Sequence, residues 1–524
     1  MQGVERADRE LLDARALVGH LVPEGSMFAF LAEHRQDLFP DGEFGDLFPS
    51  GKGRPSIPVS VMASILVLQT LHDLSDRETE DAARCDLRWK VATGMALDHK
   101  GFDATTLVYW RKRLAKSGRP HRINDAVRTV VEETGILRGR RKRAVDSTIL
   151  ADAVATQDTI TQLISAIRRV GRVVPDGAEQ VAAVCTGHDY SQQGKPGIDW
   201  DDPDAKDALV SGLVNDATAL LAVFAEVKQD RWEESASSAL ALLALVAGQD
   251  VEPAEGSDGT DGRWRIARKV APDRVVSTVD PDARHTRKSP ENRRDGYRAH
   301  VAAEPETGII TDEALTKAAG SENSDPAVAE TFLAAEAHAC EWYGDSAYGT
   351  GDFRGVIAEA DGAGAVIKPK PLRAPVEGGF TVDDFTADED AGTVTCPAGN
   401  TRPISRTRVA SFGALCRGCP LRQRCTTSSS GRKIVLHQRD DLLRQARRDW
   451  MDDSGLREKY RKYRPNVERV ISQIASLGGR RVKLRYRGTT KNNAWLACRT
   501  AGLNLRNLVG RGLTRAAGGW VLAG

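Results

Sequence analysis

Ala144-Val145-Asp146-Ser147-Thr148-Ile149-Leu150 is a short apolar run with one carboxylate inside it, entered from a basic run at residues 138–143. Its β-branched residues favour an extended chain. Cys340-Glu-Trp-Tyr-Gly-Asp345 is a second strand-like run that ends on a carboxylate. Between and after these two lie further β-rich runs bounded by turn residues: Arg274-Val-Val-Ser-Thr-Val279, Tyr297-Arg-Ala-His-Val301, Gly308-Ile-Ile-Thr-Asp-Glu-Ala314 and Ala365-Val-Ile-Lys368. Residues 327–339 and 352–360 read as helices. The first two runs are separated by an amphipathic helix over 155–170 (Ile160, Leu163, Ile164, Ile167), helices in an acidic surface over 207–247, and an exposed Gly, Asp and Glu linker at 253–262. With that helical insertion set aside, the order predicts an α/β layer on a mixed sheet.

Upstream, Pro58 suits a first helical turn, and Val61, Met62, Ile65, Leu66, Leu68 and Leu71 form an apolar stripe. Ser75-Asp-Arg-Glu78 is a capping box. A third helix starts after Phe102-Asp103 and carries Trp110-Arg-Lys-Arg-Leu114. Three short helices with a basic end fit a DNA-binding bundle and equally a dimerisation or packing module. Downstream, residues 372–450 form an insertion that carries cysteines. Pro465 then opens a helix over 465–477 with Val467, Val470, Ile471 and Ile474 on one face, and Gly478-Gly479 closes it as a C-cap. No repeat of 20–50 residues is present.

At roughly 150 residues per domain, 524 residues suggest about three domains. With 40% hydrophobic and 28% charged residues, disorder is excluded as the main state. No apolar run reaches the ~18 residues of a membrane span, and residues 235–248 read as a buried helix. The charged N-terminus lacks a signal-peptide core, so the expectation is a cytoplasmic protein with no membrane partner. Eight cysteines are too few for a disulfide scaffold. The net charge of +1 hides two opposed segments. Residues 457–516 carry sixteen Lys or Arg against Glu458 and Glu468, 16 − 2 = +14. Residues 199–262 carry three cations against fifteen acids, 3 − 15 = −12. The basic segment suggests a polyanion partner; a solvated helical face is the plainer alternative.

Asp146 and Asp345 end short strands, and Glu468 sits on a helix with basic neighbours. Phosphodiester chemistry with two Mg²⁺ ions needs such oxygen ligands, although one Asp in a strand means little. Val145-Asp146-Ser147-Thr148, Tyr343-Gly-Asp345-Ser-Ala-Tyr348-Gly349 and Arg464-Pro-Asn-Val-Glu468 resemble, in this order, the three catalytic blocks of a DDE transposase, and most resemble bacterial insertion-sequence transposases of the 1182 group. Gly53-Arg-Pro-Ser56, Leu74-Ser-Asp-Arg-Glu78, Asp86-Leu-Arg-Trp89 and Gly101-Phe-Asp103 are similar to that group's N-terminal domain. Cys396-Pro-Ala-Gly399 is similar to its cysteine-bearing insert, and Gly478-Gly-Arg-Arg481, Arg485-Tyr-Arg-Gly488 and Lys491 to its C-terminal block.

The resemblance implies an RNase H-like catalytic core, Mg²⁺- or Mn²⁺-dependent cleavage at transposon ends and strand transfer to target DNA. Asp146, Asp345 and Glu468 would be the metal ligands, and double-stranded DNA, as terminal inverted repeats and target, the partner of a homodimer. In the related Y-R-E-K signature Arg and Glu are four apart, as Arg464 and Glu468 are, which puts both on one helical face; Arg464 would contact a phosphate. The signature's Tyr falls on Arg461 and its Lys on Ala475, a role that Arg487 or Lys491 could take from the next element. Arg480, Arg481, Lys483, Arg485, Arg487 and Lys491 would extend the DNA contact.

Cys396, Cys416, Cys419 and Cys425 read C-x19-C-x2-C-x5-C, a pattern that suits one tetrahedral Zn²⁺, with His437 as a spare donor and four reduced thiols as the alternative. Arg284, His285 and Lys288 open a basic loop that either touches DNA or is solvated. Tyr348 fits a base-stacking or a core role, and Trp89, Trp110 and Trp495 are expected in the core. The expected division is a helical N-terminal domain at 1–135, the first part of the catalytic core at 136–371 with a helical insertion at about 151–270, the cysteine insertion at 372–450, and the last part of the core at 451–524. Two other functions fit the sequence: an RNase H-like nuclease not tied to transposition, and a domesticated DNA-binding protein.

Overall fold

The computed structural model describes residues 1–4, 12–227, 232–269, 271–287 and 293–523. Its main sheet has six strands. The Lys142–Ala151 strand is central. It pairs antiparallel with Arg293–Ala303, Asp146 opposite Val301 and Ser147 opposite His300. On its other side it pairs in parallel with Glu341–Gly344, Ala144 opposite Tyr343. Glu341–Gly344 pairs in parallel with Gly364–Ile367. Ile310–Lys317 and the short Arg284–Arg287 strand both pair antiparallel with Arg293–Ala303. Parallel neighbours need crossover connections, and the helices Asp325–Ala335 and Gly351–Glu359 supply them. The mixed α/β sheet expected from the sequence is present. Gly296 lets the central pair close: its φ is +147°, and a Cβ there would lie 2.0 Å from the Leu150 carbonyl oxygen.

Parity along the strands fixes two faces. Ala144, Leu150, Ala299, Val301 and Tyr343 belong to one core cluster with the N-terminal helices and the helices Pro465–Ala475 and Thr489–Val509. Val145, Ala302 and Trp342 face the other way, against Val328, Phe332, Tyr348 and Phe353. The Thr489–Val509 helix covers the edge strand Ile310–Lys317. Asn504 donates to the Ile310 carbonyl and accepts from the Ile310 N–H, both at 2.8 Å, and Asn493 accepts from the Leu315 N–H at 2.9 Å. These bonds satisfy an edge that would otherwise be open to pairing with another chain. Arg499, buried in this helix, donates to the carbonyls of Thr70 and Gln473, tying an N-terminal helix to the Glu468 helix.

Several local expectations change. The Val59–Leu71 helix is buried on all sides rather than along one stripe. The Ser75–Glu78 capping box forms as expected. The Arg274–Val279 run makes only an isolated bridge, Val275 with Arg284. Side chains take its backbone groups instead: Gln249 accepts from the Val275 N–H and Gln157 from the Thr278 N–H. The Pro465 helix ends at Ala475. Gly478 and Gly479, both at positive φ, form the two-residue turn of a hairpin between Ser476–Leu477 and Arg480–Arg481, so they are not a C-cap.

The region expected as a helical insertion has helices at Thr159–Val173, Gly177–Val184, Pro203–Ala225 and Glu234–Gln249, followed by a hairpin of Val251–Pro253 with Trp264–Ile266. Among the described residues Pro203–Ala225, a longer element than residues 235–248, is long and apolar enough by length and composition to cross a membrane. It packs against the neighbouring helices through Leu209, Val210, Leu213, Val214, Leu220 and Phe224.

Glu313, on the covered edge strand, accepts from Asn124 at 2.6 Å and Arg128 at 3.1 Å. Burial pushes its carboxyl up to about 7, against the pull of Arg128. The folded chain therefore keeps a proton that the unfolded chain loses near pH 4.5. The associated stability is present in full below about pH 4.5 and falls as pH rises through about 7. At about 1.4 kcal/mol per unit, this group should cost about 2–3 kcal/mol between pH 5 and 8. Denaturant titrations at both pH values should show a smaller drop for Glu313→Gln than for wild type; equal drops would remove Glu313 as the cause.

Candidate active site

The strand register brings the first two acids together. Asp146 and Asp345 each lie two residues beyond the paired Ala144 and Tyr343, on the same face of adjacent parallel strands. Neighbouring strands are about 4.8 Å apart, so the two carboxylates emerge side by side. The third acid comes from the Pro465–Ala475 helix, whose Val467, Val470 and Ile474 are buried against this face. That packing turns Arg464 and Glu468 toward Asp146 and Asp345. Pro465 occupies the first turn, where its missing N–H is no loss.

One guanidinium joins all three acids. Arg464 stands 3.0 Å from Asp146 and 3.6 Å from Asp345 through Nη2, and 2.8 Å from Glu468 through Nη1. The side chains of Arg464 and Asp146 are 6% and 16% exposed, those of Asp345 and Glu468 43% and 66%, so the cluster has a buried floor and an open mouth. Burial pushes the Asp146 carboxyl above its usual range. Arg464 and the Ser147 N–H oppose that rise, and Asp345 and Asp325 add to it. Burial also works against the charge of Arg464, and the surrounding acids outweigh it.

Behind Asp146, on the other sheet face, lies a network absent from the expectations drawn from the sequence. Asp325 accepts from Ser147 Oγ at 2.7 Å and from Arg298 at 3.0 Å, while the Ser147 N–H donates to Asp146 at 2.9 Å. His300, paired with Ser147 across the strands, is buried and pushed down to about 4, so it is neutral at pH 7. Ser324-Asp325-Pro326 is a helix-start signature that could have marked Asp325.

The expected DNA-contact residues separate. Arg481, Lys483, Arg485 and Arg487 are exposed and alternate with buried Val482 and Leu484. This extended segment runs beside the central strand, where the Leu484 N–H donates to the Ala151 carbonyl. Arg480 and Lys491 are also exposed, and Arg485 donates to the Asp73 carbonyl at 2.7 Å. Arg464, expected on a phosphate, is instead held inside the acid cluster. Arg499, part of the +14 segment, is buried as well. Arg284 is buried and His285 pairs with Asp295 at 2.7 Å, so neither forms a basic loop surface; Lys288 lies outside the described residues. Tyr348, Trp89, Trp110 and Trp495 are core residues. The Thr105–Lys116 helix buries Leu107, Trp110 and Leu114 and exposes Tyr109, Lys112, Arg113 and Lys116, with no acid in its length.

Cys396, Cys416, Cys419 and Cys425 line one cavity of about 20 Å³ with Phe380, Phe385 and Phe412. Burial raises the Cys425 thiol, Arg432 opposes this, and the other three cysteines add to it. His437 points elsewhere, toward Asp352 at 3.4 Å, and is not a donor here. Among the described residues no three His, Cys, Asp or Glu side chains stand close enough together to hold a metal ion directly. The donor chemistry of both clusters still fits: carboxylate oxygens suit a hard divalent cation, and four thiols around a cavity little larger than a water suit zinc.

Residues 395–509 match a family model described as Transposase DDE domain, and residues 17–113 match one described as Transposase domain (DUF772). No curated protein and no solved structure matches the chain. The first match contains the four cysteines, Arg464, Glu468 and the exposed cations of 480–491; Asp146 and Asp345 lie outside both. The two matches indicate a transposase and support an insertion-sequence enzyme of the DDE type.

Proposed function

We propose that this transposase cleaves the ends of an insertion sequence and joins them to target DNA, with Asp146, Asp345 and Glu468 as the catalytic set. The observation that carries the reading is the convergence of these acids, from the middle of one strand, the end of its parallel neighbour and one helix, on a single guanidinium. The strand arrangement, with Ile310–Lys317, Arg293–Ala303 and Lys142–Ala151 antiparallel and then Glu341–Gly344 and Gly364–Ile367 parallel, and the short Arg284–Arg287 strand beside Arg293–Ala303, supports an RNase H-like core.

Asp146, Asp345 and Glu468 would hold Mg²⁺ or Mn²⁺, which when bound activates the attacking oxygen and stabilises the leaving one. The residues of the chain do the rest. Ser147 fixes one Asp146 oxygen through its N–H and is itself held by Asp325. The Val467, Val470 and Ile474 packing holds Glu468 on the same face of the sheet as Asp146 and Asp345. Arg480, Arg481, Lys483, Arg485, Arg487 and Lys491 would hold the DNA backbone, and the exposed face of Thr105–Lys116 favours DNA contact by the N-terminal helices over packing alone. The resemblance to the 1182 group, a dimer on DNA and zinc in the cysteine cavity belong to the same proposal.

Incubation with DNA from the gene's own flanks, with and without Mg²⁺, tests this. Nicks at the element ends and joined products only with Mg²⁺ are expected. Cutting without regard to the ends would favour the nuclease reading instead, and binding without cutting the domesticated one.

The basic segment makes a separate prediction. Each cation removed from a phosphate should flatten the slope of log affinity against log salt by about one unit. Arg481→Ala and Arg487→Ala should each do so in binding measurements on end DNA, with little change in cleavage at saturating protein. Wild-type slopes in both would mean that this segment is only solvated surface.

A further inference from the structure

We infer that Arg464 is the resident cation of the acid site: without metal its guanidinium holds Asp146, Asp345 and Glu468 together, and a divalent cation enters as that guanidinium leaves. This rests on the reading of the three acids as a metal site.

Three carboxylates, each within 3.6 Å of the same guanidinium, repel one another, and Asp146 is buried. A buried charge stripped of its partner is strongly destabilising. Arg464 supplies that partner, and its reach is set by the fold: it sits at the junction between the Ser454–Tyr463 and Pro465–Ala475 helices, with Pro465 following. Its Nε is buried and without a hydrogen-bond partner. Such orphaned donors are uncommon in folded proteins, and here the group is spent on placing both terminal nitrogens among the acids.

The guanidinium nitrogens lie on Asp146 Oδ2, Asp345 Oδ2 and Glu468 Oε1, between the carboxylates that a divalent cation would have to bridge. Metal entry therefore means exchange. The planar guanidinium suits phosphate oxygens as well as carboxylates, so DNA at the site gives the displaced side chain a new partner. Metal and DNA then favour each other, because metal frees Arg464 for the phosphate and the phosphate draws Arg464 away from the acids.

The test uses the full chain without DNA. Mn²⁺ binding is measured by calorimetry, and melting temperature without metal is recorded, for wild type, Arg464→Gln, Arg464→Lys and Asp146→Asn. Arg464→Gln should melt lower without metal and bind Mn²⁺ about tenfold tighter than wild type. Arg464→Lys, a point charge that cannot span three carboxylates, should fall between the two and serves if the Gln variant does not fold. Mn²⁺ binding that Asp146→Asn abolishes, but that the Arg464 variants leave equal or weaker, would overturn the inference while the metal site stands. No Mn²⁺ binding sensitive to Asp146→Asn in any protein would remove the metal-site reading and the inference with it.

Discussion

Asp146→Asn, Asp345→Asn and Glu468→Gln should each lower DNA cleavage by roughly a thousandfold or more, the scale on which catalytic groups that act as a unit fail together. The expectation follows from how the site is built. The three acids share one guanidinium, and Asp325, which also lies near Asp146, is engaged by Ser147 and Arg298 on the opposite face of the sheet. Each change removes one negative charge from a crowded pocket and keeps the side-chain shape, so the fold should survive. Binding of end DNA should stay within about twofold, because the exposed cations of 480–491 are untouched. Cleavage rates at saturating protein, read beside binding curves, separate the two effects. A variant that binds and cuts like wild type would exclude that acid from the chemistry.

Cys416→Ser should cost the chain one zinc ion and loosen the cysteine insertion. This region has little other core: Phe385, Val394, Ala410, Phe412, Ile434 and Leu436 form a small cluster of their own, fed by short hairpins. A core of that size contributes little by itself, whereas a structural zinc site contributes folding free energy outright, on the order of 10 kcal/mol in small zinc-dependent domains. Zinc analysis should give about one ion per wild-type chain and none for Cys416→Ser, and protease should cut the variant within 372–450 much faster. The same result should follow strong chelation of wild type. A zinc-free wild type whose insertion resists protease would mean four reduced thiols in an apolar pocket.

The sheet is legible because its strands announce themselves. Ala144 to Leu150 and Cys340 to Asp345 combine β-branched or aromatic residues with a carboxylate, and the run of residue types alone marks both as strands; Asp345 follows a strand end as expected, whereas Asp146 lies mid-strand because pairing with Arg293–Ala303 continues to Ala151. The helix that carries Glu468 can be read from Pro465 and the spacing of Val467, Val470 and Ile474. What periodicity cannot give is the register between strands far apart in sequence, and it is the pairing of Ala144 with Tyr343 that brings the acids together. The fate of a charged side chain is equally hidden. Arg464 and Arg499 look like members of a basic surface and are buried, because burial depends on which element covers them. Asp325 is invisible as a site neighbour since its link to Asp146 runs through Ser147, a contact across 178 positions. Gly478-Gly479 shows a third limit: glycines at positive φ end helices and turn hairpins alike, and only the partner strand Arg480–Arg481 decides between them.

Whether these three acids form one metal-dependent site is read out by anomalous scattering from crystals soaked in Mn²⁺. The expected result is Mn²⁺ bound by Asp146 and Asp345 with Glu468 alongside, Arg464 drawn away from them, and the signal lost in Asp146→Asn. Mn²⁺ bound elsewhere in a protein that still cuts DNA, or carboxylates still closed on Arg464 at saturating Mn²⁺, would contradict it.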